Sequence, residues 1–419
     1  MRVESAGPDW LRRFGPIWTG QTLSQVGSSL ATFALIWWLT TETGSSRVLA
    51  TATLATFIPM IVLRPFTGAL VDRWSRRWTI VISDGAIALV SLWLAWLFWR
   101  GEMQLIHVYI VAAARAVGQA FHTPAMVAST ALLVPEKHLG RFAGLNHAVD
   151  GGLRLVGPAL GAVAITFLPL HSVMLIDVAT ATLAILPVLL LGIPQPARTE
   201  RVRRDNIWLN VRKALRYMRS APGLFVIVGW FTLSNGLGAL TYPFLPLYVK
   251  DFFRGGALHL AGLESVNGIG FIVGGLLFAL WPGFKSKTTT IFVAASLSSV
   301  GGLLLGFAPT HLFLVAGAGM LLMGLMNPFM NSPLAPLVQS NIPNELQGRI
   351  MSLIASLAFV LQPIGVLSGA FIVERFGIRP ILQITSGLFL FSGLLALLPI
   401  VRGLEKRLRS LREAHEKAA

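Results

Sequence analysis

The chain has 419 residues, of which 54% are hydrophobic and 12% charged, with no cysteine and a net charge of +16. Soluble domains carry about 25% charged residues, so a water-facing globule of this apolarity is excluded, as are disulfides, thiolate nucleophiles and cysteine metal sites. The cations lie in loops between apolar runs and do not form one basic face, which points to a polytopic membrane protein and away from nucleic acid.

A helix needs roughly 20 apolar residues to cross about 30 Å of hydrocarbon. Twelve such runs follow one another: 17–40, 48–71, 78–99, 104–128, 141–168, 171–193, 222–249, 258–282, 288–308, 311–335, 349–373 and 378–401. They are continuous and lack the alternation of a barrel strand, so helices are expected. Arg2, Arg12 and Arg13 precede a first run too long for the apolar core of a signal peptide, so no separate signal peptide is expected. Lys and Arg fall 25 to 6 between the two sets of loops, with three more inside the runs. That bias puts both termini in the cytoplasm of a bacterial plasma membrane.

Between the second and third runs lies a turn with one acid and three arginines, Gly68-Ala-Leu-Val-Asp72-Arg73-Trp74-Ser75-Arg76-Arg77. Its cations mark a cytoplasmic face. The long linker 194–221 divides an N-terminal bundle (1–193) from a C-terminal one (222–401), and a basic tail covers 402–419. Ile207, Val211, Leu215 and Met218 recur at helical spacing among Arg212, Lys213, Arg216 and Arg219. This pattern fits an amphipathic helix on the inner membrane surface or a solvated connector. The two halves repeat. Val134-Pro135-x4-Gly140-Arg141 returns 208 residues later as Ile342-Pro343-x4-Gly348-Arg349, and the same offset carries Phe121 to Phe329, Gly157 to Gly365 and Gly161 to Gly369.

Charges inside membrane helices are costly, so each is a functional candidate. Arg115 lies in the middle of the fourth run. His147, Asp150 and Arg154 share one face of the fifth, where a carboxylate beside an Arg and a His can bind and release a proton; a permanently ionised pair is the alternative. Asp150 is the leading proton site. Asp84 of the third run is expected to pair with Arg64 of the second, and His122 to be structural. Asp177 and Glu264 are expected near the outer side, within reach of water. Met320, Met323, Met326 and Met330 line one side of the tenth run near Asn327 and Asn331, as packing or as an adaptable ligand surface. The chain contains no G-x4-G-K-[ST] phosphate loop and no H-E-x-x-H metal motif, so neither ATP hydrolysis nor enzyme chemistry is expected, and no cofactor or metal.

The turn Gly68-x3-Asp72-Arg73-x2-Arg76-Arg77 resembles the signature loop of the major facilitator superfamily, G-x-x-x-D-R-x-G-R-R, with Ser75 at the usual Gly. Gly144, Gly157, Pro158 and Gly161 resemble the antiporter motif of exporting members, with Leu153 and Ala162 at two of its glycines. Arg115 with Gly118 resembles the fourth-helix R-x-x-x-G motif, one residue short. Gln21-Thr-Leu-Ser24-x2-Gly27-Ser28, Pro246-Leu-Tyr248-Val-Lys250-Asp251 and Glu264-Ser-Val-x-Gly268-Ile-Gly270 look like the macrolide-efflux branch. The resemblance implies an all-α fold of two six-helix bundles related as a parallel repeat. It implies export of amphipathic, macrolide-like small molecules by proton antiport, from a monomer, with a role for Arg115 in proton handling. It also implies that the loop from Gly68 to Arg77 helps close the cytoplasmic side. Arg115, Asn235, Met326, Asn327 and Asn331 are the expected lining of the substrate cavity. Siderophore exporters, lysophospholipid flippases and nutrient facilitators share the layout and stand as alternatives.

Overall fold

In a computed structural model of the chain, residues 10–71, 73–193, 216, 219–220, 222–342 and 344–418 are described. Asp72, Pro343 and nearly all of the expected amphipathic linker lie outside them. Helices account for the described architecture, with no strand among the described residues. Six long helices come first: α1 (Trp10–Thr43), α2 (Ser46–Val71), α3 (Arg76–Arg100), α4 (Leu105–Leu133), α5 (Glu136–Phe167) and α6 (Leu170–Leu191). Their ends follow ordinary capping chemistry. Ser75 accepts the Trp78 amide at the start of α3, and Gly101 closes that helix in the left-handed region at φ 69°.

Beyond the linker come α7 (Pro222–Ala239), α8 (Ala257–Leu280), α9 (Lys287–Phe307), α10 (Phe313–Asn331), α11 (Leu334–Asn341), α12 (Asn344–Val360), α13 (Gln362–Phe376), α14 (Ile378–Leu390) and α15 (Leu404–Ala418). Several expected runs are therefore interrupted. The seventh stops as an α-helix at Ala239 and continues through Phe252 as short 3-10, α and π turns around Pro243 and Pro246, which lack backbone donors. The twelfth ends as an α-helix at Leu390 and goes on as a 3-10 turn to Leu397.

Among the described residues nine helices are long and apolar enough to cross a membrane. The first, fourth and twelfth runs are not among them: α14 has only 13 residues, whereas α1 and α4 have 34 and 29. Their apolarity is broken by Gln21, Ser28, Arg115 and His122, which have buried partners described below.

The chain forms two compact units, one of residues 1–198 with 249–265 and the other of 199–248 with 266–419. The segment 249–265 thus groups with the first unit, where the expected organisation put it with the C-terminal bundle. Lys250 Nζ donates to the carbonyls of Thr40 and Thr41 at the end of α1, at 2.9 and 3.3 Å. Ser265 Oγ donates to the Leu155 carbonyl on α5, at 2.7 Å.

In the first unit α1 packs on α5 and α6, α3 on α4 and α6, and α2 on α4. Added Cβ atoms at Gly157 and Gly161 of α5 would strike Ser29 and Phe33 of α1. In the second unit α7 packs on α12 and α13, where Gly365 and Gly369 of α13 meet the backbone at Gly236 of α7 and at Leu240 just beyond its end. The sequence repeat is therefore a packing repeat, with small residues letting the fifth run approach the first and the eleventh approach the seventh. Helix α15 is anchored on the second unit. Leu404 and Leu408 are buried in its core with Ile227 and Phe292, and Glu405 accepts the Lys287 amide at 2.8 Å, capping α9.

Helices α8 and α10 approach through glycine, and a Cβ at Gly324 would collide with the backbone carbonyl of Asn267. Gly324→Val should therefore destabilise the protein by about 1–3 kcal/mol or block folding. Gly317→Ala on the same helix meets open space and should be neutral or slightly stabilising. Thermal unfolding in detergent separates the two.

Candidate functional site

Three helices of the first unit carry polar residues seven apart: Gln21 and Ser28 on α1, Asp84 and Ser91 on α3, Arg115 and His122 on α4. Seven residues are nearly two turns, so each pair shares a face about 10 Å apart along its helix. Since α4 runs against α1 and α3, the pairs meet as two layers.

The first layer joins Ser28, Ser91, Arg115 and Asp177 of α6. Asp177 is fully buried, and Arg115 Nη1 forms an ion pair with its Oδ2. Ser91 Oγ donates to the same oxygen at 2.7 Å, and Ser28 Oγ donates to Oδ1 at 2.8 Å. Arg115 also donates to Ser91 Oγ at 2.9 Å. The carboxylate thus receives a cation and two hydroxyls, which offset the desolvation of a buried charge.

The second layer joins Gln21, Asp84 and His122, all buried. Gln21 Nε2 donates to Asp84 Oδ2 at 2.7 Å. His122 Nε2 lies 2.9 Å from Gln21 Oε1 and 3.3 Å from Asp84 Oδ1. Two apolar clusters bracket the layers, one around Phe14, Ile17, Ile80, Ala125 and Val188, the other around Ala34, Leu94, Val111 and Met174.

Two sequence expectations are corrected. Asp84 bonds Gln21 and His122, not Arg64, because α2 packs against α4 and away from α3, leaving Arg64 exposed. Asp177 is not within reach of water but sealed against Arg115, because its helix turns that face toward α1 and α3. Ser91 carried no signal by itself, and Gln21 and Ser28 stood out only within a family-like motif; their shared seven-residue spacing with the charged positions was the clue to their partnership.

The other candidates are more scattered. His147, Asp150 and Arg154 lie on exposed positions of α5, and Gly144 has open space around it. Glu264 is half-buried beside Ser265, whose hydroxyl reaches Leu155, the residue after Arg154. In the turn before α3, Gly68 and Arg73 are exposed, while Arg76 and Arg77 donate to the carbonyls of Ala128 on α4 and Leu189 on α6, at 3.2 and 2.6 Å. These two arginines thus pin α3 inside its own unit. Asn235, Met326, Asn327 and Asn331 belong to the second unit. Asn235 donates to the Phe231 carbonyl at 2.8 Å, and Asn331 to the carbonyl and side chain of Asn327 at 3.0 and 3.2 Å. Among the described residues no three His, Asp or Glu side chains gather as a metal cage.

The second unit lacks the layers. The positions 208 residues on from Gln21, Asp84 and His122 are Gly229, Phe292 and Met330. Those matching Ser28, Ser91, Arg115 and Asp177 are Gly236, Ser299, Met323 and Thr385. Phe292 is fully buried in the apolar core, with Met330 packed against it.

A family model described as Major Facilitator Superfamily matches residues 17–365. Macrolide efflux protein A of Streptococcus pyogenes is 30% identical over 371 residues, covering 88% of this chain and 92% of that protein. Multidrug efflux pump Tap of Mycolicibacterium fortuitum is 25% identical over 395 residues, covering 90% of this chain and 94% of that one. Among solved structures, an inward-facing bacterial homologue of the iron transporter ferroportin gives a TM-score of 0.71 over 92% of this chain and 98% of its own, at 14% identity. That likeness is one of fold alone.

Removing one partner of the Arg115–Asp177 pair leaves a buried charge without compensation. Arg115→Met should lower stability by about 3–5 kcal/mol, and Arg115→Met with Asp177→Leu should recover most of the loss. Fluorescence-detected unfolding of the purified variants measures both.

Proposed function

The chain belongs to the major facilitator superfamily, and we propose that it is a secondary exporter of amphipathic, macrolide-like small molecules, exchanging them for protons by alternating access. The observation that carries this reading is the 30% identity to Macrolide efflux protein A across 88% of the chain. The likeness to a multidrug efflux pump points the same way. The absence of a phosphate loop from the sequence favours an ion gradient as the energy source. Buried acids partnered by Arg and His inside the helices are the kind of group that senses such a gradient.

In this reading the protein is a monomer with twelve spans in a bacterial plasma membrane, both termini on the cytoplasmic side, as the bias of Lys and Arg between loops favours. Arg115, Asn235, Met326, Asn327 and Asn331 are the proposed substrate-facing residues. Asp72, with Arg73, Arg76 and Arg77, helps close the cytoplasmic side.

Expression in a bacterium stripped of its own pumps tests the reading. Accumulation of a radiolabelled macrolide should fall, and a protonophore should restore it to the level of cells without the protein. Unchanged accumulation would move the assignment to lipid or siderophore export. Export insensitive to the protonophore would remove proton exchange. Asp72→Asn should impair export while leaving insertion and orientation intact, as read by accumulation beside a surface-labelling assay.

A further inference from the structure

We propose that His122, with Asp84 and Gln21, is the proton-binding site of the exchange; the inference rests on the antiport reading above and assigns its ion site. Geometry separates the two polar layers. In the Arg115 layer the cation cannot give up its charge, and the acid already accepts from Arg115, Ser28 and Ser91. That layer is a fixed ion pair. In the other layer the partner is an imidazole, which can carry one proton or two. Gln21 fixes the donor arrangement: its amide nitrogen faces Asp84 and its oxygen faces His122 Nε2, so Nε2 carries a hydrogen.

A second proton therefore goes to Nδ1, giving an imidazolium held against the Asp84 carboxylate. Its loss to water returns the neutral ring, a net change of one proton with no other bond made or broken. The fold does not require this cluster, because the matching positions of the second unit, Gly229, Phe292 and Met330, carry no ionisable group, and Phe292 and Met330 pack in its apolar core. The same three helices carry both layers, so a change of charge at His122 acts on the rigid elements that hold Arg115 and Ser28.

The charged groups on the helices packed around this layer lie mostly at exposed positions. Helix α6 brings Asp177, which is occupied by Arg115, and half-buried His171 near its start. Exposed are Arg12, Arg13 and Glu42 of α1, Arg47 and Arg64 of α2, and Glu136, Lys137, Arg141, His147, Asp150 and Arg154 of α5, which also carries half-buried His138. Helix α3 carries Arg76, Arg77 and Arg100 at its ends, and α4 carries His107 near its start.

The test uses the full chain purified in detergent, weakly buffered, with the pH dye pyranine, and erythromycin as probe. Binding is followed by tryptophan fluorescence and proton release by the dye. Wild type should release protons on binding erythromycin. His122→Gln and Asp84→Asn should bind and lose the release, and Asp150→Asn should release as wild type does. Release that persists in His122→Gln, or that disappears in Asp150→Asn alone, would overturn this site and leave antiport standing. Wild type that fails to bind, or binds without release, would remove the antiport reading and this site with it. If neither His122→Gln nor Asp84→Asn yields folded, binding protein, the cluster is structural and the proposal fails.

Discussion

A charge inside the hydrocarbon layer survives only with partners, and that constraint organises the first unit. An unpaired carboxylate or guanidinium at the centre of a bilayer costs several kcal/mol. Asp177 meets the requirement with one guanidinium and two hydroxyls drawn from α1, α3 and α4. Four helices must then stand in one register and rotation, since a slip of one residue on any of them turns its polar atom about 100° away. The second polar layer inherits that register: Gln21, Asp84 and His122 sit one heptad from the first set on the same three helices. Apolar clusters on either side seal both layers.

The two units show what part of this belongs to the fold. Both use glycines to bring the fifth helix of the repeat against the first, Gly157 and Gly161 in one, Gly365 and Gly369 in the other. Packing of that kind suffices in the second unit, whose matching core is filled by Phe292, Met330 and their neighbours. The charged layers are therefore an addition that the architecture does not need. Natural sequences keep costly local features where function requires them, and the asymmetry directs attention to the first unit as the ion-handling half.

Much of the fold was legible in the chain itself. Twelve apolar runs, a cationic turn at 73–77 and the 208-residue repeat pointed to paired bundles of helices. The intramembrane charges Asp84, Arg115 and Asp177 each stood out, because nothing else in an apolar run is so costly. Their partnerships did not. Pairing Asp84 with Arg64 assumed that consecutive helices touch, whereas α2 lies against α4. Nor does a lone histidine beside Thr123 and Pro124 give any sign that Gln21, 101 positions away, faces it. Contacts of that separation follow from how four helices rotate about their axes, and hydrophobic period alone leaves the rotation free when both faces of a helix are apolar. The breaks in the seventh and twelfth runs were hidden for a related reason: apolar residues continue through them, and only the backbone changes.

The account depends on one layer being fixed and the other being able to change charge. Double-mutant cycles of Arg115 with Asp177 and of His122 with Asp84, run by thermal unfolding at pH 6 and pH 8, measure this directly. The Arg115–Asp177 coupling should be the same at both pH values, and the His122–Asp84 coupling should be larger at pH 6, because a second proton on the ring turns a neutral hydrogen bond into a charge pair with the carboxylate. A His122–Asp84 coupling that does not change with pH, or that grows at pH 8, would contradict the account.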